Sequence, residues 1–169
     1  MKGHLFWIAV WVGLVFAGYL VTERMMMPPP VARSLADGRQ EIVIPVSRDG
    51  HYHLDGAVND VPLRLMIDTG ASYVSVGAEF ARAAGLPEGI PGYFSTANGT
   101  VEGRMVRNQT VKADVFELSG LSVAVMPAYG GEGLLGQNFL RHFEVSQAGG
   151  TLRLHMRPGG ANRTGDATQ

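Results

Sequence analysis

The sequence predicts an all-β domain with one or two short helices, preceded by one N-terminal transmembrane helix. Three observations support this reading. Twenty-three Gly and nine Pro in 169 residues point to many turns joining short strands rather than to a helical bundle. Apolar runs that read as strands recur from residue 41 to residue 156, broken by turn pairs such as Asn59-Asp60 and Asn98-Gly99; Asn-Gly is the strongest short signal for a tight hairpin. Leu5 to Thr22 holds no charged residue in eighteen positions. At ~1.5 Å per helical residue this run spans about 27 Å, close to the ~30 Å hydrocarbon core of a bilayer.

Composition bounds the rest. A length of 169 residues with 46% apolar content makes one globular unit able to bury a core. Fourteen Lys plus Arg against fifteen Asp plus Glu give a net charge of -1. That balance offers no footprint for a polyanion, so nucleic acid is excluded as the main partner. With no Cys, disulfides, thiolate zinc sites, iron–sulfur clusters and cysteine nucleophiles are excluded together. The redox compartment stays unread.

Taken in order, residues 1–4 form a short N-terminus and residues 5–22 the anchor. A cleaved signal peptide is the competing reading, because Val15-Phe16-Ala17 offers small residues for a peptidase. The apolar run continues through Gly18-Tyr19-Leu20-Val21, however, which favours a retained helix. Lys2 and the terminal amine, set against Glu23-Arg24, place the N-terminus in the cytoplasm under the positive-inside rule. The expected location is the inner (cytoplasmic) membrane, single-pass, with the bulk of the chain facing the periplasm or cell exterior. Residues 23–40, with Met25-Met26-Met27-Pro28-Pro29-Pro30, read as an extended Pro-rich stalk. Residues 158–169 lack any apolar period and read as a disordered tail, which leaves a folded domain over residues 41–157.

Within that domain, Glu41 to Val46, His51 to Val58 and Val61 to Ile67 read as a meander leading to Asp68. Ser72 to Val76 is a further strand. The Ala-rich Ala78 to Ala84, ending at Gly85, makes one or two helical turns. Phe94 to Ala97 and Thr100 to Gly103 flank the Asn98-Gly99 turn. Strands follow at Met105 to Glu117, Leu121 to Met126, Phe143 to Gln147 and Thr151 to Met156.

The residues with chemistry are few. Asp68-Thr69-Gly70-Ala71 follows the apolar Leu65-Met66-Ile67, so a carboxylate stands where a strand ends. Gly70 lets the backbone bend tightly and aim an N–H at it. By itself the tetrad is also an ordinary strand-ending turn. A second segment, Gly133-Leu134-Leu135-Gly136-Gln137-Asn138, repeats the pattern of apolar strand, glycine turn and short helix without a carboxylate, which suggests two similar halves with the Asn98-Gly99 hairpin between them.

These three motifs, in this order, resemble a retropepsin-like aspartic protease, closest to bacterial single-lobe members with an N-terminal membrane anchor. The resemblance covers about Glu41 to Met156. It implies a closed β-barrel lobe with a flap hairpin, and it implies roles for matching positions. Asp68 matches the catalytic aspartate, Thr69 the hydroxyl that reaches across to the other lobe, and Gly70 the backbone support of the carboxylate, with Ala71 and Ser72 completing that support. Leu135 and Gly136 match the buttress behind the active-site loop. Ser95 to Gly103 match the flap, with Thr96, Ala97, Asn98, Gly99 and Thr100 over the substrate and Gly99 and Gly103 supplying mobility. Gln137 stands where an apolar residue is usual and Asp60 where a turn glycine is usual; neither departure is expected to touch the chemistry.

Hydrolysis at two carboxylates needs one ionised group to activate water and one protonated group to protonate the carbonyl oxygen. The chain offers one such Asp, so a homodimer with Asp68 from each copy on a two-fold axis is expected, acting on a peptide or protein substrate with no metal and no cofactor. The rival readings are a catalytically idle lobe that binds an extended peptide by β-addition, and an envelope structural domain in which the tetrad is a mere turn. His51-Tyr52-His53 places two imidazoles on one strand face, a possible metal pair lacking a third ligand; solvated strand residues is the reading taken. Tyr129-Gly130-Gly131-Glu132-Gly133 has no Lys and no following Ser or Thr on a helix, and so reads as a connection rather than a phosphate loop.

Overall fold

The computed structural model describes residues 2–25, 29–35, 39–97, 99–127 and 130–157. The chain begins with helix α1 (Lys2–Met25). Its apolar side chains, among them Phe6, Trp7, Trp11, Val15, Phe16 and Tyr19, are exposed. Among the described residues no helix is long and apolar enough to cross a membrane. The expected transmembrane helix is to that extent unsupported. The expected tail, residues 158–169, lies outside the described residues, as do the central methionines of the expected stalk.

The stalk expectation needs correction. Val31–Ser34 is not free tether but strand β1, paired antiparallel with β2 (Gln40–Pro45) in the register Val31↔Val43 and Arg33↔Glu41. The last described strands lie in the same sheet, with β10 (Phe143–Ala148) and β11 (Thr151–Met156) completing the order β1-β2-β11-β10. One face of this sheet sends Ile42, Ile44, Leu152 and Leu154 into the core. On β2 and β11 the buried Glu41 carboxylate is met by Arg153 Nη1 at 3.1 Å and His155 Nε2 at 2.9 Å, partners a buried charge requires. These contacts bind the two ends of the domain.

The second sheet forms the barrel. It comprises β3 (His53–Val58), β4 (Val61–Ile67), β5 (Val74–Gly77), β6 (Ile90–Thr96), β7 (Gly99–Ala113), β8 (Phe116–Met126) and β9 (Gly133–Leu135), in the order β3-β4-β9-β5-β8-β7-β6. An additional β3–β7 pairing, with Gly56 opposite Ala113, closes the ring and leaves β6 outside it. Side chains alternate along these strands, and Leu54, Val58, Leu65, Val74, Val111, Phe116, Val123 and Phe139 fill one core with the aromatic stack of Phe139 on Phe143. The expected closed β-barrel lobe is therefore present, with two short helices, α2 (Ala78–Ala83) and α3 (Gln137–Leu140).

Local chemistry explains where the strands turn. Asn59 and Asp60 take φ of 48° and 64°, both left-handed, the turn that matches strand twist in a two-residue hairpin. The expected strand from Met105 to Glu117 does not exist as one piece. Asp114 adopts φ 53° and with Val115 turns the chain between β7 and β8, so the second strand begins at Phe116 rather than Leu121. The strand expected from Ser72 starts at Val74, because Ser72 and Tyr73 are spent on the loop after Asp68.

Candidate active site

β4 and β9 lie side by side and parallel, with Leu65 opposite Gly133, Met66 opposite Leu134 and Ile67 opposite Leu135. The two similar sequence segments are thus brought into register, and the turns that follow them stand next to one another. Asp68 ends β4 half-buried. Its backbone N–H donates to Leu135 O at 3.2 Å, continuing the β4–β9 ladder by one rung. Gly70 N–H donates to Asp68 Oδ1 at 2.8 Å. Ala71 N–H closes the turn onto Asp68 O at 3.3 Å. A Cβ on Gly70 would stand 3.2 Å from Asp68 Oδ1, so glycine is the residue that lets the loop come this close.

Leu135 is fully buried, and Gly136 explains the tightness behind the loop. A Cβ there would collide with the Tyr73 carbonyl and lie 2.8 Å from Ala71 O. Across this seam Gln137 N–H donates to Ala71 O at 2.8 Å and Asn138 N–H to Ser72 O at 3.1 Å. The Asn138 side chain accepts from Val74 N–H at 2.8 Å and donates to Ser122 O at 2.7 Å, tying α3 to β5 and β8. Gln137 Nε2 donates to Thr69 O at 2.9 Å. The sequence reading expected no effect of Gln137 on the chemistry; the structure places its amide on the main chain of the Asp68 loop. The signal was two polar side chains placed immediately after an apolar-Gly motif. Thr69 and Ser72 are exposed.

The hairpin expected to act as a flap is formed by β6 and β7. Thr96 pairs with Gly99, Ser95 with Thr100 and Phe94 with Val101; Thr96 Oγ1 donates to Gly99 O at 2.8 Å, and Gly99 has φ 110°. Ala97 is exposed at the tip; Asn98 lies outside the described residues. Tyr93 is 77% exposed. Gly103 is not the mobile point expected of it. It is buried, and a Cβ would meet Val125 O at 2.7 Å and the Phe94 ring at 3.0 Å, so this glycine permits close packing at the flap base. A groove of about 280 Å³ lies at that base, lined by Ala78, Pro91, Glu102, Arg104, Val125 and Pro127; Asp68 does not line it.

Of the histidine pair expected to be solvated, His51 is exposed and His53 is not. His53 is buried rather than solvated, with Nε2 2.8 Å from Asp49 Oδ2 and Nδ1 2.7 Å from Glu132 Oε2. Arg64 Nε approaches the other Glu132 oxygen at 3.2 Å. The hydrogen bonds from the His51 backbone and the His53 ring hold the Asp49 carboxyl below its ordinary value. Nε2 is hydrogen-bonded to Asp49, whereas Nδ1 lies close to Glu132 without hydrogen-bond geometry, and among the described residues no group of three ligands could hold a metal.

A protein-family model described as "gag-polyprotein putative aspartyl protease" matches residues 54–142, more than half of the chain. The chain belongs to the retropepsin-like aspartic protease family. The matched retropepsin-like segment runs from β3 to the end of α3 and contains Asp68, the flap and Gly136. The crystal structure of a retropepsin-like aspartic protease from Rickettsia conorii superposes with a TM-score of 0.57 at 24% identity, covering 77% of this chain and 97% of that one, and so shares its fold. Two curated relatives are uncharacterized proteins. One from Rickettsia prowazekii (strain Madrid E) is 39% identical over 62 residues, 35% of this chain and 27% of the relative. One from the cobV 5'region of Sinorhizobium sp is 27% identical over 117 residues, 66% of this chain and 50% of the relative. The chain thus spans half or less of the length of these relatives.

Proposed function

We propose that this retropepsin-like protein is a membrane-anchored aspartic endopeptidase whose catalytic dyad is formed by Asp68 of two identical chains. The single observation behind this is the setting of Asp68: half-buried at a strand end, with Gly70 N–H on Oδ1, whereas among the described residues the other Asp that accepts from the N–H two positions on, Asp49, is exposed. Two carboxylates a few ångströms apart cannot both ionise easily and share one proton. The ionised partner then takes a proton from water as it attacks the scissile carbonyl, and the protonated one donates to the carbonyl oxygen. A tetrahedral diol forms and collapses when the amine receives its proton. In this reading the exposed Thr69 hydroxyl meets the partner chain, and the flap covers an extended peptide.

The apolar side chains of α1, exposed along its described length, support its use as the anchor, with Lys2 on the cytoplasmic side and the barrel in the periplasm or outside the cell. Incubating the protein with a diverse peptide pool, with and without Asp68→Asn, tests the assignment. The variant keeps shape and most hydrogen bonding but loses the ionisable group, so cleavage should vanish while the denaturation midpoint stays put. Undiminished cleavage by Asp68→Asn would falsify the protease reading and leave the idle peptide-binding lobe.

A further inference from the structure

We infer that Gln137 is a positioning residue for the Asp68 carboxylate, acting through the single peptide unit that joins Thr69 to Gly70. The inference rests on the dyad reading above and adds a residue that reading does not contain. Gln137 Nε2 donates to Thr69 O at 2.9 Å, and Gly70 N–H donates to Asp68 Oδ1 at 2.8 Å. The carbonyl of Thr69 and the N–H of Gly70 belong to the same planar amide. Fixing where one end points fixes the other, so the side chain on α3 sets the direction of the hydrogen bond on the carboxylate.

The loop needs such a hold. Asp68 to Ala71 is a four-residue turn closed by Ala71 N–H on Asp68 O, and Gly70 is not among the glycines with positive φ. A flip of the central peptide converts such a turn between its two common forms. The flipped form requires positive φ at the third residue, which glycine adopts freely. That flip would swing the Gly70 N–H off the carboxylate. The neighbouring carbonyls of Ala71 and Ser72 are held by main-chain donors of α3, which any residue would supply. Thr69 O is held by a side chain, and this makes the identity of residue 137 matter. A chain of hydrogen bonds also polarises along its length, so the Gln137 bond strengthens the one received by Asp68.

The test uses the full chain with two variants at this exposed position. Gln137→Met keeps length and removes the donor; Gln137→Arg keeps a donor on a longer stem. For Gln137→Met, kcat should fall about three- to tenfold, the effect of losing one ordinary hydrogen bond, with KM within about twofold. Gln137→Arg should restore most of kcat. Independently of activity, the amide proton of Gly70 in glycine-labelled protein should exchange faster in Gln137→Met and return toward wild type in Gln137→Arg. An unchanged Gly70 amide, or a Gln137→Arg protein as impaired as Gln137→Met, overturns the inference. Wild-type protein without Asp68-dependent cleavage would instead remove the dyad reading, while the amide measurement still decides whether Gln137 holds the loop.

Discussion

Gly136 is the residue on which the geometry of the Asp68 loop depends most heavily. A methyl group there has nowhere to go, because the atoms it meets are the Tyr73 and Ala71 carbonyls, backbone that cannot swing aside. Gly136→Ala should cost about 3 kcal/mol, the upper part of the usual overpacking range, and should lower kcat because the displaced segment carries Asp68. Urea denaturation and peptide cleavage on the same preparation check both halves; a variant as stable and active as wild type would mean the seam is looser than drawn. His142, just beyond α3, offers a second residue-scale expectation. Burial, and then the neighbouring Arg141, hold its imidazole below the ordinary 6.5. A depressed histidine favours the unfolded chain once it can be protonated there. Stability is thus complete above pH 6.5 and declines as pH falls from 6.5 toward the folded-state value. His142→Gln should flatten the difference in unfolding free energy between about pH 7.5 and about pH 5.5, and an unchanged slope would place the titration elsewhere.

Among the elements, the β3–β4 hairpin invites a substitution that stabilises. Asp60 holds φ 64°, a region costing a non-glycine residue about 1 kcal/mol. Asp60→Gly should therefore raise stability by about 0.5 kcal/mol after the loss of chain entropy is counted, read as a higher denaturation midpoint. Elements specified by their own residues were legible in the sequence: the meander into Asp68, a hairpin near Gly99 and the glycine turn at Gly136 all announce themselves within a few positions, although the hairpin strands meet at Thr96 and Gly99 rather than at Ala97 and Thr100. What escaped depended on distant partners. Val31–Ser34 has no apolar pattern and is exposed throughout; it becomes a strand only because β2 offers an open edge. Val115 made the turn at Asp114 look like strand interior, and the Gln137 contact joins residues 68 positions apart. Even Gly103 misled, since a glycine in a hairpin reads as freedom until the carbonyl pressed against it is seen.

At the level of the whole molecule, the proposed dyad, with one Asp68 per chain, would make activity a property of association. Specific activity should rise with protein concentration until the proposed dimer saturates, and the full-length chain in a bilayer should need less protein than the same chain dispersed in detergent, because confinement raises effective concentration. Mixing wild type with excess Asp68→Asn should suppress cleavage as subunits exchange. Constant activity per wild-type chain under dilution and mixing, with exchange demonstrated, would refute the shared dyad. The parallel pairing of β4 with β9 has a further consequence, in the order of synthesis. Asp68 leaves the ribosome well before Leu135, Gly136 and Gln137, yet its N–H and the Thr69 and Ala71 carbonyls find their partners only there. Contacts so far apart in sequence form late and close long loops. A nascent chain that already displays its aspartate therefore lacks the loop that aims it, and the proposed chemistry has to wait until residues 135–137 have been made.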